Sequence, residues 1–137
     1  MNPFHYAFKV NNIEETRRFY IEVMNCKAGR STTKWIDFDF YGHQLSAHHS
    51  PTLSQLDYCG KVDGIDVPIP HFGCILSLPQ FVALHKRLID HKVTFILPAH
   101  IRYSGEIGEQ HTMFFLDPSN NPIEIKAFKH PQEIFSQ

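Results

Sequence analysis

The chain has 137 residues, of which 42% are hydrophobic and 20% are charged. These proportions are typical of one compact globular domain and exclude a largely disordered chain. The formal net charge is -1 with neutral histidines. Nucleic-acid binders use a basic excess to neutralise phosphates, and this chain has none, so we expect no nucleic-acid partner.

The sequence also predicts a location. No apolar run is long enough to span a bilayer, and the segment MNPFHYAFKV lacks the charged-then-apolar pattern of a signal peptide. Cys26, Cys59 and Cys74 are scattered and form no CxxC pair, which indicates reduced thiols rather than a disulfide framework. We therefore expect a cytoplasmic protein without a membrane partner.

The first half of the chain predicts a strand, a helix and three more strands. Apolar and polar residues alternate over residues 4–10, as in a half-buried strand. Asn12 is a predicted helix N-cap with Glu15 as its capping-box partner, and a helix of roughly three turns should follow. The next strands are predicted at residues 27–33, 34–41 and 43–49.

Residues 50–70 contain three prolines and two glycines, which predicts a long connection that acts as a lid or a site wall. The pattern then restarts. Ser77 and Gln80 form a second capping box before a second amphipathic helix. Residues 98–110 are predicted as a mobile loop. Strands are predicted at residues 71–76, 93–97, 112–116 and 122–128.

The two halves match at a constant offset. His5 and His71 are 71 − 5 = 66 positions apart, and the caps Asn12 and Ser77 are 77 − 12 = 65 apart. We interpret this as a duplicated βαβββ unit: an α+β fold with a cupped mixed sheet and helices on its convex side. The single domain would comprise unit one at 4–49, a linker at 50–70 and unit two at 71–128. The alternative is an unduplicated α+β chain with two helices flanked by strands.

Three polar residues occupy comparable strand positions. Strand side chains alternate between faces, so His5 and His71 should point away from the apolar core. Glu124 lies between two buried-type isoleucines and should share that face. Two imidazoles and one carboxylate could bind a divalent metal and leave positions open for substrate. Each residue alone could equally be an ordinary hydrogen-bonded or solvated side chain.

Three segments carry a resemblance to a known family: FHYAFKVNNIEETRRFYIEVMNCKAG, PHFGCILSLPQFVALHKRLIDHKVTF and TMFFLDPSNNPIEIKAF. The last is the most specific, with an apolar strand, Asp-Pro, a short turn and an apolar-Glu-apolar strand. Together they resemble the vicinal oxygen chelate superfamily, which includes glyoxalase I, bleomycin- and fosfomycin-resistance proteins and extradiol dioxygenases. The resemblance implies His5, His71 and Glu124 as metal ligands, and a homodimer.

The sequence departs from two family patterns. Glyoxalase I takes a fourth ligand from its fourth strand, where Gln44, Ser46 and His48 share a face here and none is the expected glutamate. The three-ligand, extradiol-dioxygenase-like branch is therefore favoured. Ring-cleaving dioxygenases commonly place a tyrosine ten residues before the glutamate, where this chain has Phe114.

We therefore expect a metal-dependent, dioxygenase-like enzyme that chelates a small substrate through vicinal oxygens. Fe²⁺ is the favoured cofactor, with Mn²⁺, Ni²⁺ or Zn²⁺ as alternatives. The candidate catalytic residues are His48 and Gln44, and the candidate substrate-binding residues are Arg102, Tyr103 and Phe114. The alternatives are a glyoxalase-type lyase or isomerase, and a non-enzymatic protein that sequesters a small molecule such as an antibiotic.

Overall fold

The computed structural model describes the whole chain, residues 1–137. The chain divides into two compact units. Unit 1 comprises Met1–Gln55 with the turn Asp117–Asn121, and unit 2 comprises Leu56–Leu116 with Pro122–Gln137. Each unit contains one α-helix and one four-stranded sheet. Neither α-helix is long and apolar enough to cross a lipid bilayer.

Unit 1 is built from one helix and four strands. They are β1 (His5–Val10), α1 (Ile13–Arg18), β2 (Lys27–Ser31), β3 (Trp35–Phe40) and β4 (His43–His49). The sheet order is β1-β4-β3-β2, with β1 parallel to β4 and the other neighbours antiparallel. Helix α1 begins at the predicted cap, because the Asn12 side chain accepts a hydrogen bond from the Glu15 backbone N–H at 2.8 Å.

The predicted three-turn helix of unit 1 is not a continuous α-helix. After α1 the chain forms a π-helical turn at Phe19–Val23, in which the Met24 N–H bonds to the Phe19 carbonyl five residues back. This turn places Tyr20 in the centre of the unit, where it is fully buried and its ring stacks on Phe38 at 4.9 Å between centroids. Tyr20 and Phe38 thus form an aromatic pair within the core of unit 1.

Unit 2 repeats this arrangement after a short hairpin. Its elements are β5 (Gly60–Val62), β6 (Ile65–Val67), β7 (Phe72–Ile75), α2 (Leu78–Asp90), β8 (Phe95–Arg102), β9 (Gln110–Leu116) and β10 (Pro122–Phe128). A 3-10 turn follows at Pro131–Glu133. The sheet order is β7-β10-β9-β8, and β7 runs parallel to β10. The capping box at Ser77 is complete, since its hydroxyl and backbone N–H both pair with Gln80.

The predicted duplication of an α+β, βαβββ unit is confirmed. In both sheets the first strand of the unit pairs in parallel with the last, and the two middle strands follow in the same order. The helix in each unit follows the first strand, as the two caps predicted. The two sheets thus share one topology. His5 is the first residue of β1, and His71 directly precedes β7, so the two histidines occupy comparable positions.

Two predicted boundaries are wrong. Residues 50–70 are not only a connection, because β5 and β6 form a hairpin around Asp63 and Gly64, whose positive φ angles of 49° and 83° suit a tight hairpin turn. Strand β8 also runs on to Arg102, into the segment predicted as a loop. Pro98 is tolerated there because β8 is an edge strand and its pairing with β9 shifts register around the proline.

Candidate functional site

His71 and Glu124 meet in unit 2. His71 Nε2 lies 3.2 Å from Glu124 Oε1, with the imidazole half-buried and the carboxylate only 9% exposed. Glu124 points away from the core because its neighbours in β10, Ile123 and Ile125, are both fully buried on the other face. The strand alternation seen in the sequence therefore delivers this carboxylate to the imidazole.

A second contact fixes the Glu124 carboxylate. The Thr112 hydroxyl, fully buried on the adjacent β9, donates a hydrogen bond to Glu124 Oε2 at 2.7 Å. The Lys126 ammonium lies 3.9 Å from the same oxygen. Burial acts to raise the pKa of Glu124, but the hydrogen bonds from His71 and Thr112 outweigh it, so the pKa lies below its ordinary value. The carboxylate is thus held charged.

The His71 ring is held on two sides. Its Nδ1 lies 2.7 Å from the Pro68 carbonyl oxygen, and the ring meets Phe114 edge-on at 4.9 Å between centroids. A carbonyl only accepts, so Nδ1 carries a proton. The hydrogen bond to Glu124 at Nε2 raises the pKa of His71 above its ordinary value, against the opposing effect of burial. The two pKa shifts therefore both favour the state in which His71 Nε2 carries a proton and donates it to the charged Glu124 carboxylate.

His71 and Glu124 are donor groups of the kinds that bind divalent metals. An imidazole nitrogen and a carboxylate oxygen converge on one point, and a cation can replace the proton that they share. The Nδ1 hydrogen bond to a backbone carbonyl is the outer contact that metal-binding histidines usually make. No group of three or more histidine, cysteine, aspartate or glutamate side chains that could hold a metal comes together in the chain.

The third predicted ligand, His5, lies in unit 1. It is exposed on β1, and its Nδ1 is 2.8 Å from Gln44 Oε1 on the neighbouring β4. His48, the other candidate catalytic residue, lies further along β4 opposite Lys9 and Trp35 and is also exposed. Gln44 and His48 are four positions apart on one strand, and side chains an even number of positions apart point to the same face, as predicted.

The predicted substrate-binding residues lie in unit 2, in two different settings. Phe114 is fully buried in a hydrophobic cluster of unit 2, and its ring also meets the His71 ring edge-on. Arg102 stacks its guanidinium over the Tyr103 ring at 4.9 Å and donates to the Tyr103 hydroxyl at 3.1 Å. Tyr103 itself is 48% exposed. Arg102 and Tyr103 therefore form one cluster at the surface, whereas Phe114 lies in the interior.

Asp63 and His100 join that cluster, although no pattern in the sequence predicted their contact with Arg102. Asp63 Oδ2 lies 2.9 Å from His100 Nε2 and 3.2 Å from Arg102 Nε. The hydrogen bond with His100 lowers the pKa of Asp63 most strongly, with Arg102 adding to the effect. The Asp-Gly dipeptide at 63–64 is the sequence signal that could have revealed this hairpin turn.

No protein-family model and no curated protein matches the chain. Among solved structures it is similar to a glyoxalase/bleomycin resistance protein/dioxygenase from Alicyclobacillus acidocaldarius, with 28% identity, 98% of this chain and 96% of that chain covered, and a TM-score of 0.79. It is also similar to the fosfomycin resistance protein FosX from Listeria monocytogenes, with 18% identity, 97% of each chain covered and a TM-score of 0.72.

A FosX protein from Mesorhizobium loti gives 14% identity, 96% and 95% coverage, and a TM-score of 0.69. At such low identities the likeness is evidence for a shared fold. The high coverage shows that this fold includes nearly the whole of both chains. The chain therefore has the fold of the vicinal oxygen chelate superfamily, and the predicted resemblance to that superfamily is confirmed. Its extradiol-dioxygenase-like branch stays a prediction.

Proposed function

We propose that the protein is a metal-dependent enzyme that chelates a small substrate through vicinal oxygens, with His5, His71 and Glu124 as its metal ligands. The observation that carries this proposal is the convergence of His71 Nε2 and Glu124 Oε1 at 3.2 Å. When bound, a divalent metal would act as a Lewis acid and a template for the substrate oxygens. Two histidines and one carboxylate favour Fe²⁺, with Mn²⁺, Ni²⁺ and Zn²⁺ as alternatives.

The surrounding side chains have separate tasks. Thr112 orients the Glu124 carboxylate, and the Pro68 carbonyl orients the His71 ring. The Phe114 ring covers one side of the His71 ring. Because Phe114 is itself fully buried, water is excluded from that side. Thr112 and Phe114 thus keep the two ligands pre-organised without contacting a substrate.

The reaction we propose is dioxygenase-like, but simple catechols should be poor substrates. Phe114 cannot donate the hydrogen bond that a tyrosine would give, and Gln44 cannot shuttle a proton as a histidine can. His48 and the Arg102–Tyr103 cluster are the polar groups that we propose for the true substrate. Arg102 would pair with a substrate carboxylate in competition with Asp63, whose Oδ2 lies 3.2 Å from Arg102 Nε.

A substrate panel tests the reaction class. The protein is loaded anaerobically with Fe²⁺ and offered catechols, small 2-oxo compounds, the hemithioacetal of glutathione, and fosfomycin, while oxygen uptake and products are followed. Oxygen-dependent turnover that is lost in Glu124→Ala and retained in His91→Ala, an exposed histidine at the end of α2, supports the proposal. Turnover of the hemithioacetal without oxygen would instead assign a lyase.

The alternative is a binding protein that sequesters its ligand. The Alicyclobacillus neighbour is described as a glyoxalase/bleomycin resistance protein/dioxygenase, which covers both enzymes and resistance proteins. Tight binding of a small molecule with or without metal, together with no turnover across the panel, would favour sequestration and remove the enzyme proposal.

We also propose a homodimer in which the domain at 1–137 acts as one functional unit. Co-expression of two differently tagged chains, one with His5→Ala and one with Glu124→Ala, tests how the ligand set is assembled. A set shared between chains leaves one complete site in the mixed dimer, so metal binding returns. A set contained in one chain leaves none, so the mixed dimer stays metal-free.

A further inference from the structure

A chain of hydrogen bonds leads away from His5 across the sheet of unit 1. His5 Nδ1 contacts Gln44 Oε1 at 2.8 Å, and Gln44 Nε2 contacts Asp37 Oδ2 at 3.4 Å. The buried Ser46 hydroxyl donates to the other Asp37 oxygen at 2.6 Å. The strand register builds this chain, since Gln44 lies opposite His5 on β1 and Ser46 lies opposite Asp37 on β3.

Asp37 decides which groups donate and which accept in this series of hydrogen bonds. A carboxylate only accepts hydrogen bonds, so the Gln44 amide must turn its NH₂ group toward Asp37. Its carbonyl oxygen then faces His5, and an oxygen acceptor requires a proton on His5 Nδ1. In the neutral imidazole the lone pair is left on Nε2.

The equivalent histidine of unit 2 has the same arrangement with a different acceptor. His71 Nδ1 faces the Pro68 carbonyl oxygen at 2.7 Å, and its Nε2 faces Glu124. A backbone carbonyl needs no orienting partner, because it cannot exchange donor for acceptor. A glutamine amide can, by a half-turn of its side chain. Unit 1 therefore needs Asp37 where unit 2 needs nothing.

We propose that Asp37 is a positioning residue that acts through Gln44 to hold His5 as the Nδ1–H tautomer, with Nε2 free to bind a metal. The tautomer itself is a property of unit 1 alone. Its consequence for metal binding rests on the proposed function. Gln44 is thus assigned an orienting task rather than the proton shuttle expected of a catalytic residue.

Histidine ring ¹⁵N NMR on metal-free protein at about pH 8.5, where ordinary imidazoles are neutral, reads the tautomer directly. The His5 signals are assigned by their loss in His5→Ala. We expect the Nδ1–H pattern in the wild type, and a shift toward Nε2–H in both Gln44→Leu and Asp37→Ala. Asp39→Asn is the matched control, because Asp39 lies on the same strand and accepts from the Gly42 N–H instead.

An Nε2–H pattern for wild-type His5, or an unchanged pattern in Asp37→Ala, would overturn the proposal. Calorimetric titration with Ni²⁺ alone tests the consequence, with affinity expected to fall about 10- to 100-fold in Asp37→Ala and to stay unchanged in Asp39→Asn. If the tautomer shifts as expected but wild-type protein binds no Ni²⁺, the positioning role stands and the proposed metal site fails.

Discussion

Gly73 lies directly opposite Glu124 in the parallel pairing of β7 with β10, and a Cβ atom at position 73 would overlap the backbone carbonyl of Glu124. The absence of a side chain lets the two strands approach at the point where His71, two residues earlier, reaches the Glu124 carboxylate. The equivalent position in unit 1 is Ala7, opposite Ser46. The close approach is thus a feature of the unit that holds the histidine–glutamate pair.

Gly73→Ala should therefore disrupt both stability and the site. The added methyl group meets backbone rather than a flexible side chain, so β7 must move, at a cost of about 3 kcal/mol. Urea unfolding measures this loss. Gly29→Ala is the control, because a Cβ there meets Asp37 Cβ at an ordinary 3.4 Å. Equal stability of the two variants would show that β7 is not held where we describe it.

Tyr20→Phe should destabilise unit 1 by about 1–2 kcal/mol. Burial holds the pKa of Tyr20 well above its usual range, so the hydroxyl stays protonated and donates to Asp117 Oδ2 at 2.9 Å. The change removes this donor from a buried carboxylate while keeping the ring that stacks on Phe38. Denaturant unfolding provides the measurement. The exposed Tyr58→Phe should leave stability unchanged, and an equally neutral Tyr20→Phe would contradict the account.

The His71–Glu124 pair should make stability depend on pH in metal-free protein. The pKa of His71 is raised, so its contribution is complete below the ordinary value of 6.5 and is lost as pH rises through the raised value. The pKa of Glu124 is lowered, so its contribution is complete above 4.5 and is lost as pH falls through the lowered value. The pair therefore stabilises most between pH 4.5 and 6.5.

The measurement is the difference in Tm between wild type and His71→Gln, in EDTA, from about pH 4 to about pH 9. We expect the difference to be largest in that window and to shrink at higher pH. A difference that is constant, or that grows above neutral pH, would show that the two side chains do not share a proton.

Asp63 should hold the β5–β6 hairpin against β8, since its carboxylate contacts both His100 and Arg102. In Asp63→Ala, amide hydrogen exchange in β5 and β6 should rise several-fold, and the stable amides of β9 should not change. Asp66→Ala is the matched control, because Asp66 pairs only with Lys61 of the same hairpin. Equal exchange in the two variants would remove the proposed role of Asp63.

Sequence periodicity predicted much of this structure, for identifiable reasons. The alternation around Glu124 and the two helix caps depend on contacts within a few residues, and those were predicted correctly. The pairing of Asp63 with His100 joins residues 37 apart, and no local pattern encodes it. The acceptor for His71 is the Pro68 backbone carbonyl, which every residue possesses and which therefore leaves no signal. The loop predicted at residues 98–110 starts too early, because Pro98 is tolerated in a strand only where that strand lies at a sheet edge, and the position of β8 in its sheet is set by long-range pairing.

The most direct test of the metal site is the metal content of protein purified without added metal, measured by elemental analysis. We predict a bound divalent ion in the wild type and in His91→Ala. Metal content should fall sharply in His5→Ala, His71→Ala and Glu124→Ala. Circular dichroism should show that each variant keeps its fold. Bound metal should also decrease as pH falls, because the ion competes with the proton between His71 and Glu124. Full metal occupancy in His71→Ala would contradict the account.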